Sequence, residues 1–247
     1  MAKPCFYHSE LAGMEVDQVF ELSASESSHA LQSRRLKKGS EIQLLDGKGC
    51  IAEAIIAEVG RRSVSVAVRQ LDHKASSKQK VHCVVAMPKG DRQKGMVDML
   101  TQLGVTSLTP LQCDRAISIP KDSQLEKLRR VSLEACKQSK NPYILDIFGP
   151  KDFETVVDNA EVLVFADQFG KSFTELSETL TEISKTMGFA HGEYPEITLL
   201  IGPEGGFSQS EFDVLAQRET LSASVGQHIL RTETAAIALA SLIKVSV

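Results

Sequence analysis

Two segments in the last fifth of the chain concentrate the residues that could do chemistry. The first is Leu199-Leu200-Ile201-Gly202-Pro203-Glu204-Gly205-Gly206-Phe207, and the second is Ile229-Leu230-Arg231-Thr232-Glu233-Thr234-Ala235-Ala236. Each is an apolar run that passes into polar residues and then into a helical pattern. In the first, Gly202, Gly205 and Gly206 lack Cβ atoms, so a ligand can approach the backbone closely, while Pro203 stiffens the loop. Glu204 is the one charged group there. In the second, Arg231, Thr232, Glu233 and Thr234 follow a Gly-containing stretch, Val225-Gly226-Gln227-His228. Either loop alone reads equally well as a tight turn. Two such loops close together can build one ligand pocket.

The elements that must position these loops are legible locally. Ile197 to Ile201 is continuously apolar apart from one Thr, as expected of a strand buried in a parallel sheet. Ser208 and Glu211 have the Ser-x-x-Glu spacing of a capping box, which starts a helix just after the first loop. The first loop therefore sits at the carboxyl end of a strand, where open α/β sheets bind ligands. Leu221 to Val225 reads as a short strand ended by Gly226. Thr232 is the expected N-cap of a final helix rich in Ala and Leu, with Glu233 in its first turn, where the helix dipole favours an acid.

These two loops resemble the C-terminal motifs of the SPOUT superfamily of S-adenosylmethionine-dependent RNA methyltransferases. Within it they are similar to the bacterial-type enzymes that methylate N3 of a uridine in 16S (small-subunit) ribosomal RNA. Ile201 to Gly206 matches the family's Ile-Gly-Pro-Glu-Gly-Gly loop fully. Val225 to Ala235 matches its second loop, with His228 where the family carries Arg. The resemblance extends through Lys89-Gly90-Asp91-Arg92, Leu103-Gly104-Val105 (after Gln102 in place of an acid) and Glu134-Ala135-Cys136-Lys137-Gln138-Ser139. Toward the N-terminus, Arg35, Lys37 and Gly39 match an RNA-binding motif in which Ser33 and Arg34 replace apolar residues.

The resemblance implies an α/β fold: a C-terminal SPOUT-type parallel sheet with a trefoil knot, plus a small N-terminal PUA-like β-barrel that grips RNA. It implies S-adenosyl-L-methionine as cofactor, held mainly by backbone of Leu200, Ile201, Gly202, Gly206, Val225, Gly226, Ile229 and Leu230. Neutral uracil N3 is a poor nucleophile, so its proton must leave. Arg231 is the expected cation for the uracil anion or a phosphate, and Glu204 or Glu233 the expected base. Arg34, Arg35, Lys37, Lys38, Lys89 and Arg92 are the expected RNA contacts. The same resemblance implies a homodimer acting on 16S rRNA or the small ribosomal subunit. Three other readings remain: a SPOUT enzyme acting on transfer RNA or a ribose, a non-catalytic RNA-binding assembly factor, and a nucleotide-binding α/β protein. The last is disfavoured by the missing Gly-Lys-Ser/Thr of a P-loop.

Residues 1–72 are expected to form the barrel. Glu41–Leu45 and Ile51–Val59 flank Asp46-Gly47-Lys48-Gly49, a strong hairpin signal, and Ser63 to Arg69 alternates strictly. Ser25 to Arg35 is expected to form a short helix. Residues 73–80 read as a polar linker and 81–247 as the methyltransferase domain, in which strands alternate with helices. There a second Ser-x-x-Glu, Ser123 to Glu126, is expected to open a helix to about Ser139.

Charge is unevenly spread. Residues 73–150 hold 13 basic and 7 acidic side chains, a net +6, whereas 151–247 hold 6 and 15, a net −9. The basic stretches could track phosphates. The five cysteines are odd in number, widely spaced and without Cys-x-x-Cys, so they read as reduced thiols rather than a disulfide frame or zinc site. The histidines show no metal spacing, and no metal is expected. With no long apolar run and no signal-peptide pattern, the expected setting is cytoplasmic, with no membrane partner.

Overall fold

The computed structural model describes residues 3–190 and 193–245. The chain divides into two compact units: one comprises the chain up to Ser76 together with Leu133–Ile144, the other Ser77–Ser132 with Leu145 onward. The sequence placed residues 133–144 in the second domain; the structure assigns them to the first. His73, expected in the linker, is the last residue of a strand and pairs with Cys50.

The first unit contains β1 (Cys5–Tyr7), β2 (Val19–Glu21), α1 (Ala24–Ser28), β3 (Glu41–Leu45), β4 (Cys50–Val59) and β5 (Val64–His73). The strands form one sheet in the order β1-β3-β4-β5-β2, parallel at β1–β3 and antiparallel elsewhere. In hydrogen-bond terms the expected barrel is thus a sheet with β1 and β2 at its ends. Alternation along β4 and β5 sends Ala52, Ala54, Ile56, Val64, Val66 and Val68 into a core with Phe6, Leu22, Ile42 and Leu44. The expected helix from Ser25 is shorter than its pattern. Ser23 caps α1 through the Glu26 N–H, and a π-helical turn, His29–Ser33, ends it before Arg35 turns to a φ of 51°.

A buried ion pair lies in this unit. Lys137 Nζ donates to Glu26 Oε1 at 2.8 Å, and both side chains are under 10% exposed. Lys137 also meets Glu134 at 2.7 Å. Lys137 of the Glu134–Ser139 motif is thus engaged in ion pairs within this unit.

The second unit carries β6 (Val81–Val85), α2 (Arg92–Gln102), β7 (Ser107–Gln112), α3 (Asp122–Ser139), β8 (Asp146–Ile147), β9 (Lys151–Asp152) and α4 (Phe153–Asn159). These are followed by β10 (Val162–Lys171), α5 (Phe173–Thr186), β11 (Ile197–Ile201), α6 (Gln209–Gln217), β12 (Leu221–Ala223) and α7 (Thr232–Val245). The last turns of α3 belong to the first unit. All strand pairings are parallel, in the order β12-β10-β11-β6-β7-β8, with β9 also on β7.

Period-two alternation divides the buried residues between two faces. Val81, Cys83, Val85, Val162, Val164, Ile197, Leu199 and Ile201 pack with Leu100 of α2, Leu176 and Leu180 of α5 and Leu239 and Ile243 of α7. Val84, Leu163, Phe165 and Leu200 pack with Val156 and Val157 of α4 and Leu215 of α6. Both faces are covered, which is why these strands read as apolar throughout. α3 starts one residue before the expected Ser123. The Lys121 N–H donates to the Gln124 side chain, so the Ser123 box does not form. No helix among the described residues is long and apolar enough to cross a membrane. The cysteines form no disulfide among the described residues.

Candidate active site

A cavity of about 560 Å³ opens at the carboxyl ends of three adjacent strands of the second unit. Its walls come from the carboxyl-terminal half of β10 (Ala166–Phe169) and from the segments after β11 (Gly202–Phe207) and after β12 (Val225–Leu230), closed by Thr232, Ala235 and Leu239 of α7. The two loops singled out in the sequence therefore frame one pocket. Gly206 and Gly226 hold φ values of 69° and 77°, a conformation that side-chain-bearing residues rarely adopt.

The first loop is held from several directions. The expected capping box forms: Ser208 accepts from the Glu211 N–H, and Glu211 reaches back to the Ser208 N–H at 2.7 Å. The loop after β7 adds to it. Asp114 accepts from the Ser208 hydroxyl at 2.6 Å, and Arg115 Nη1 donates to the carbonyls of Gly205 at 2.7 Å and Phe207 at 3.2 Å. Phe207 is buried under the loop, edge-on to Phe212 and tilted against Phe153. A Cβ on Gly202 would sit 3.1 Å from the Phe207 ring, a tight contact that the glycine relieves.

The second loop joins the first through a side chain expected to do something else. Thr232 is the first residue of α7, and its hydroxyl donates to the Gly202 carbonyl at 3.3 Å instead of capping its own helix. The third wall was not visible in the sequence. β10 pairs with Ala223 at both Ala166 and Lys171, so Asp167–Gly170 bulges out between them and places Asp167, Gln168 and Phe169 on the cavity. Gly170 makes the bulge possible, because a Cβ there would lie 2.5 Å from the Ala223 nitrogen.

Seven of the eight expected cofactor residues line the cavity: Ile201, Gly202, Gly206, Val225, Gly226, Ile229 and Leu230. Leu200 does not. Strand alternation turns it to the opposite face, where it is fully buried against the α4 and α6 core. Among the expected catalytic residues, Glu204 lines the cavity, while Arg231 and Glu233 stand outside its lining. His228 is a lining residue.

Arg92, expected to touch RNA, forms ion pairs at this site. Its Nη1 lies 2.6 Å from Glu204 Oε1 and 3.5 Å from Glu233 Oε2. The hydrogen bond from Arg92 and its charge, with the charges of Arg231 and Lys89, hold the Glu204 carboxyl below the usual carboxylate range. Glu204 is thus firmly ionised and a weak proton acceptor. No cluster of three or more metal-ligating side chains occurs among the described residues.

The geometry agrees with known proteins. A relative from Rickettsia conorii named ribosomal RNA small subunit methyltransferase E is 29% identical over 226 residues, covering 88% of this chain and 86% of the relative. One of the same name from Bacillus subtilis is 23% identical, covering 93% and 91%. A putative methyltransferase from Legionella pneumophila, solved with bound cofactor SAM, shares the fold with a TM-score of 0.84 at 24% identity, covering 99% of this chain and 98% of that one. A probable rRNA-methyltransferase from Porphyromonas gingivalis matches with a TM-score of 0.79 at 25% identity, covering 96% and 95%. The family model for an RNA methyltransferase PUA domain matches residues 22–69. The model for an RNA methyltransferase domain matches residues 75–244, most of the chain and all of the cavity, so this chain belongs to the RNA methyltransferase family.

Proposed function

We propose that this chain transfers the methyl group of S-adenosyl-L-methionine to N3 of a uridine in 16S ribosomal RNA. The observation that carries the reading is the single cavity framed by Gly202–Gly206 and Val225–Leu230, in a chain whose relatives over most of its length are named ribosomal RNA small subunit methyltransferase E. The PUA match supports an RNA partner.

The cavity suits the cofactor. Its volume falls in the range of small-molecule sites, about 300–1,000 Å³. Ala235, Leu239 and Leu230 offer an apolar wall, and the loop glycines bring backbone N–H and C=O groups close to the space. When bound, the cofactor supplies an electrophilic methyl group. The chain's own task is to hold uridine in line with it and to manage the N3 proton. Arg231, exposed beside Glu204, provides the cation for charge developing on uracil O2 or O4. Glu204 or Glu233, both held by Arg92, is the carboxylate that receives the proton. Leu200 supports the site from behind, through β11.

The basic side chains of Arg34, Arg35, Lys37 and Lys38 are exposed on the first unit and suit phosphate contacts, as does exposed Lys89 on the second. The reading also includes a trefoil-knotted path through the C-terminal segment, a homodimer and a cytoplasmic setting. Phe169 and Ile229, 86% and 83% exposed beside the cavity, are side chains that a second subunit would cover.

Incubating the protein with S-adenosylmethionine and unmethylated small ribosomal subunits, then digesting the RNA for mass spectrometry, tests the reading. Appearance of 3-methyluridine is the expected result. Methyl on another nucleoside would overturn the specificity, and RNA binding without methyl transfer would overturn the enzymatic role.

A further inference from the structure

Arg92 is oddly placed for a residue whose task is general attraction to RNA. It is the first residue of α2, where the helix dipole disfavours a cation, and the preceding Asp91 makes no side-chain cap. Its guanidinium is only one-third exposed, and Nη1 is shared between carboxylates 112 and 141 residues further along the chain. One carboxylate belongs to the loop after β11, the other to the first turn of α7. Both are within reach of one nitrogen, so Glu204 and Glu233 are close enough to repel each other if the cation is removed.

The base of Arg92 is itself fixed. Gln93, buried beside it, donates to the Pro88 carbonyl at 2.6 Å, and Lys94 pairs with Asp91 at 2.9 Å. The first turn of α2 is therefore a firm post from which Arg92 reaches the two pocket loops. The Thr232–Gly202 hydrogen bond ties the same two loops together at the cavity wall.

We propose that Arg92 is the positioning residue of the cofactor pocket: its guanidinium clamps the Glu204 loop to the start of α7 and so sets the shape of the cavity before RNA arrives. The proposal rests on the cofactor assignment above and is independent of which nucleoside is methylated. It replaces the simple expectation that Arg92 contacts a phosphate. Lysine keeps the charge and a single donating nitrogen but not the guanidinium's reach and shape, so it reproduces the clamp only in part.

The test is calorimetric binding of S-adenosylmethionine to the full-length protein without RNA, with RNA binding measured separately against salt. Binding by the unaltered protein secures the cofactor assignment; its absence would remove that assignment and the clamp together. Given binding, Arg92→Gln is expected to weaken cofactor affinity about tenfold or more, and Arg92→Lys to restore part of it. Glu204→Gln in the Arg92→Gln background should cause no further loss and should recover part of the affinity, since it removes the repulsion with Glu233. The salt dependence of RNA binding should not change. Unaltered cofactor affinity in Arg92→Gln would overturn the clamp. So would a reduced salt slope of RNA binding with cofactor affinity intact, which is the signature of a phosphate contact. A partial recovery in Arg92→Lys separates loss of the clamp from a failure to fold.

Discussion

The Thr232 hydroxyl donates a hydrogen bond to the Gly202 carbonyl, thirty residues back along the chain, at 3.3 Å. Thr232 is 5% exposed, so the bond is made away from bulk water. Thr232→Val keeps the shape and leaves the carbonyl short of a partner. The expected cost is about 1 kcal/mol in stability, with a several-fold loss in S-adenosylmethionine affinity. Urea unfolding and calorimetric titration of the variant check both numbers, and unchanged values in both would show that the two loops are held by other contacts.

The Phe207 ring packs tightly over Gly202, where even a Cβ would sit 3.1 Å from it. Gly202→Val should displace that ring or push the new methyl groups into the cavity. Cofactor binding is expected to vanish while the circular dichroism spectrum remains that of a folded protein. The apolar strands on either side are buried independently of this position, so global unfolding would contradict the account.

The Glu204 carboxyl gives a pH signature. Hydrogen bonding to Arg92 is the main cause that depresses its pKa below the ordinary 4.5. The carboxylate is favoured in the folded state, so the pair's stabilisation is fully present above the unfolded value and is lost as pH falls through the folded one. Cofactor affinity is therefore expected to stay level down to about pH 5 as far as Glu204 is concerned, and to fall only in stronger acid. In Arg92→Gln the pair's contribution is already absent, and the Glu204 carboxyl should titrate nearer the ordinary glutamate value. An NMR titration of Glu204 in both proteins measures the displacement directly, and identical midpoints would refute it.

The Lys137–Glu26 pair is a buried ion pair of the first unit. Removing one partner leaves a buried charge uncompensated, so Lys137→Ala should cost about 3–5 kcal/mol. Replacing both with apolar residues of similar volume, Lys137→Met with Glu26→Leu, should recover most of that loss. Denaturant melts of the single and double variants decide the matter. A double variant no better than Lys137→Ala would mean that Lys137 acts mainly through Glu134.

Local patterns reported on whatever is decided locally. The alternation in β4 and β5, the continuous apolar runs of β6 and β11, and the Ser208–Glu211 capping box were legible because each depends on backbone preference and on which face is buried. The family motifs marked the two pocket loops for the same reason, since Gly-Pro-Glu-Gly-Gly encodes a backbone shape. Ser123 and Thr232 show the limit of such reading. Both were expected caps, yet Gln124 closes the start of α3 and Thr232 spends its hydroxyl on a distant carbonyl.

The sequence by itself determined the fold class, the parallel order of strands and helices, and the two loops that frame the cavity. Only the tertiary structure decided which side chains meet there. Arg92 reaches Glu204 and Glu233, Asp114 and Arg115 brace the first loop, and the Asp167–Gly170 bulge supplies a third wall. Leu200 was turned away from the cavity, and residues 133–144 were assigned to the first unit. The physical reason is common to all of these. Periodicity records burial, a property summed over many neighbours, whereas a hydrogen bond or ion pair depends on one partner brought near by the whole path of the chain.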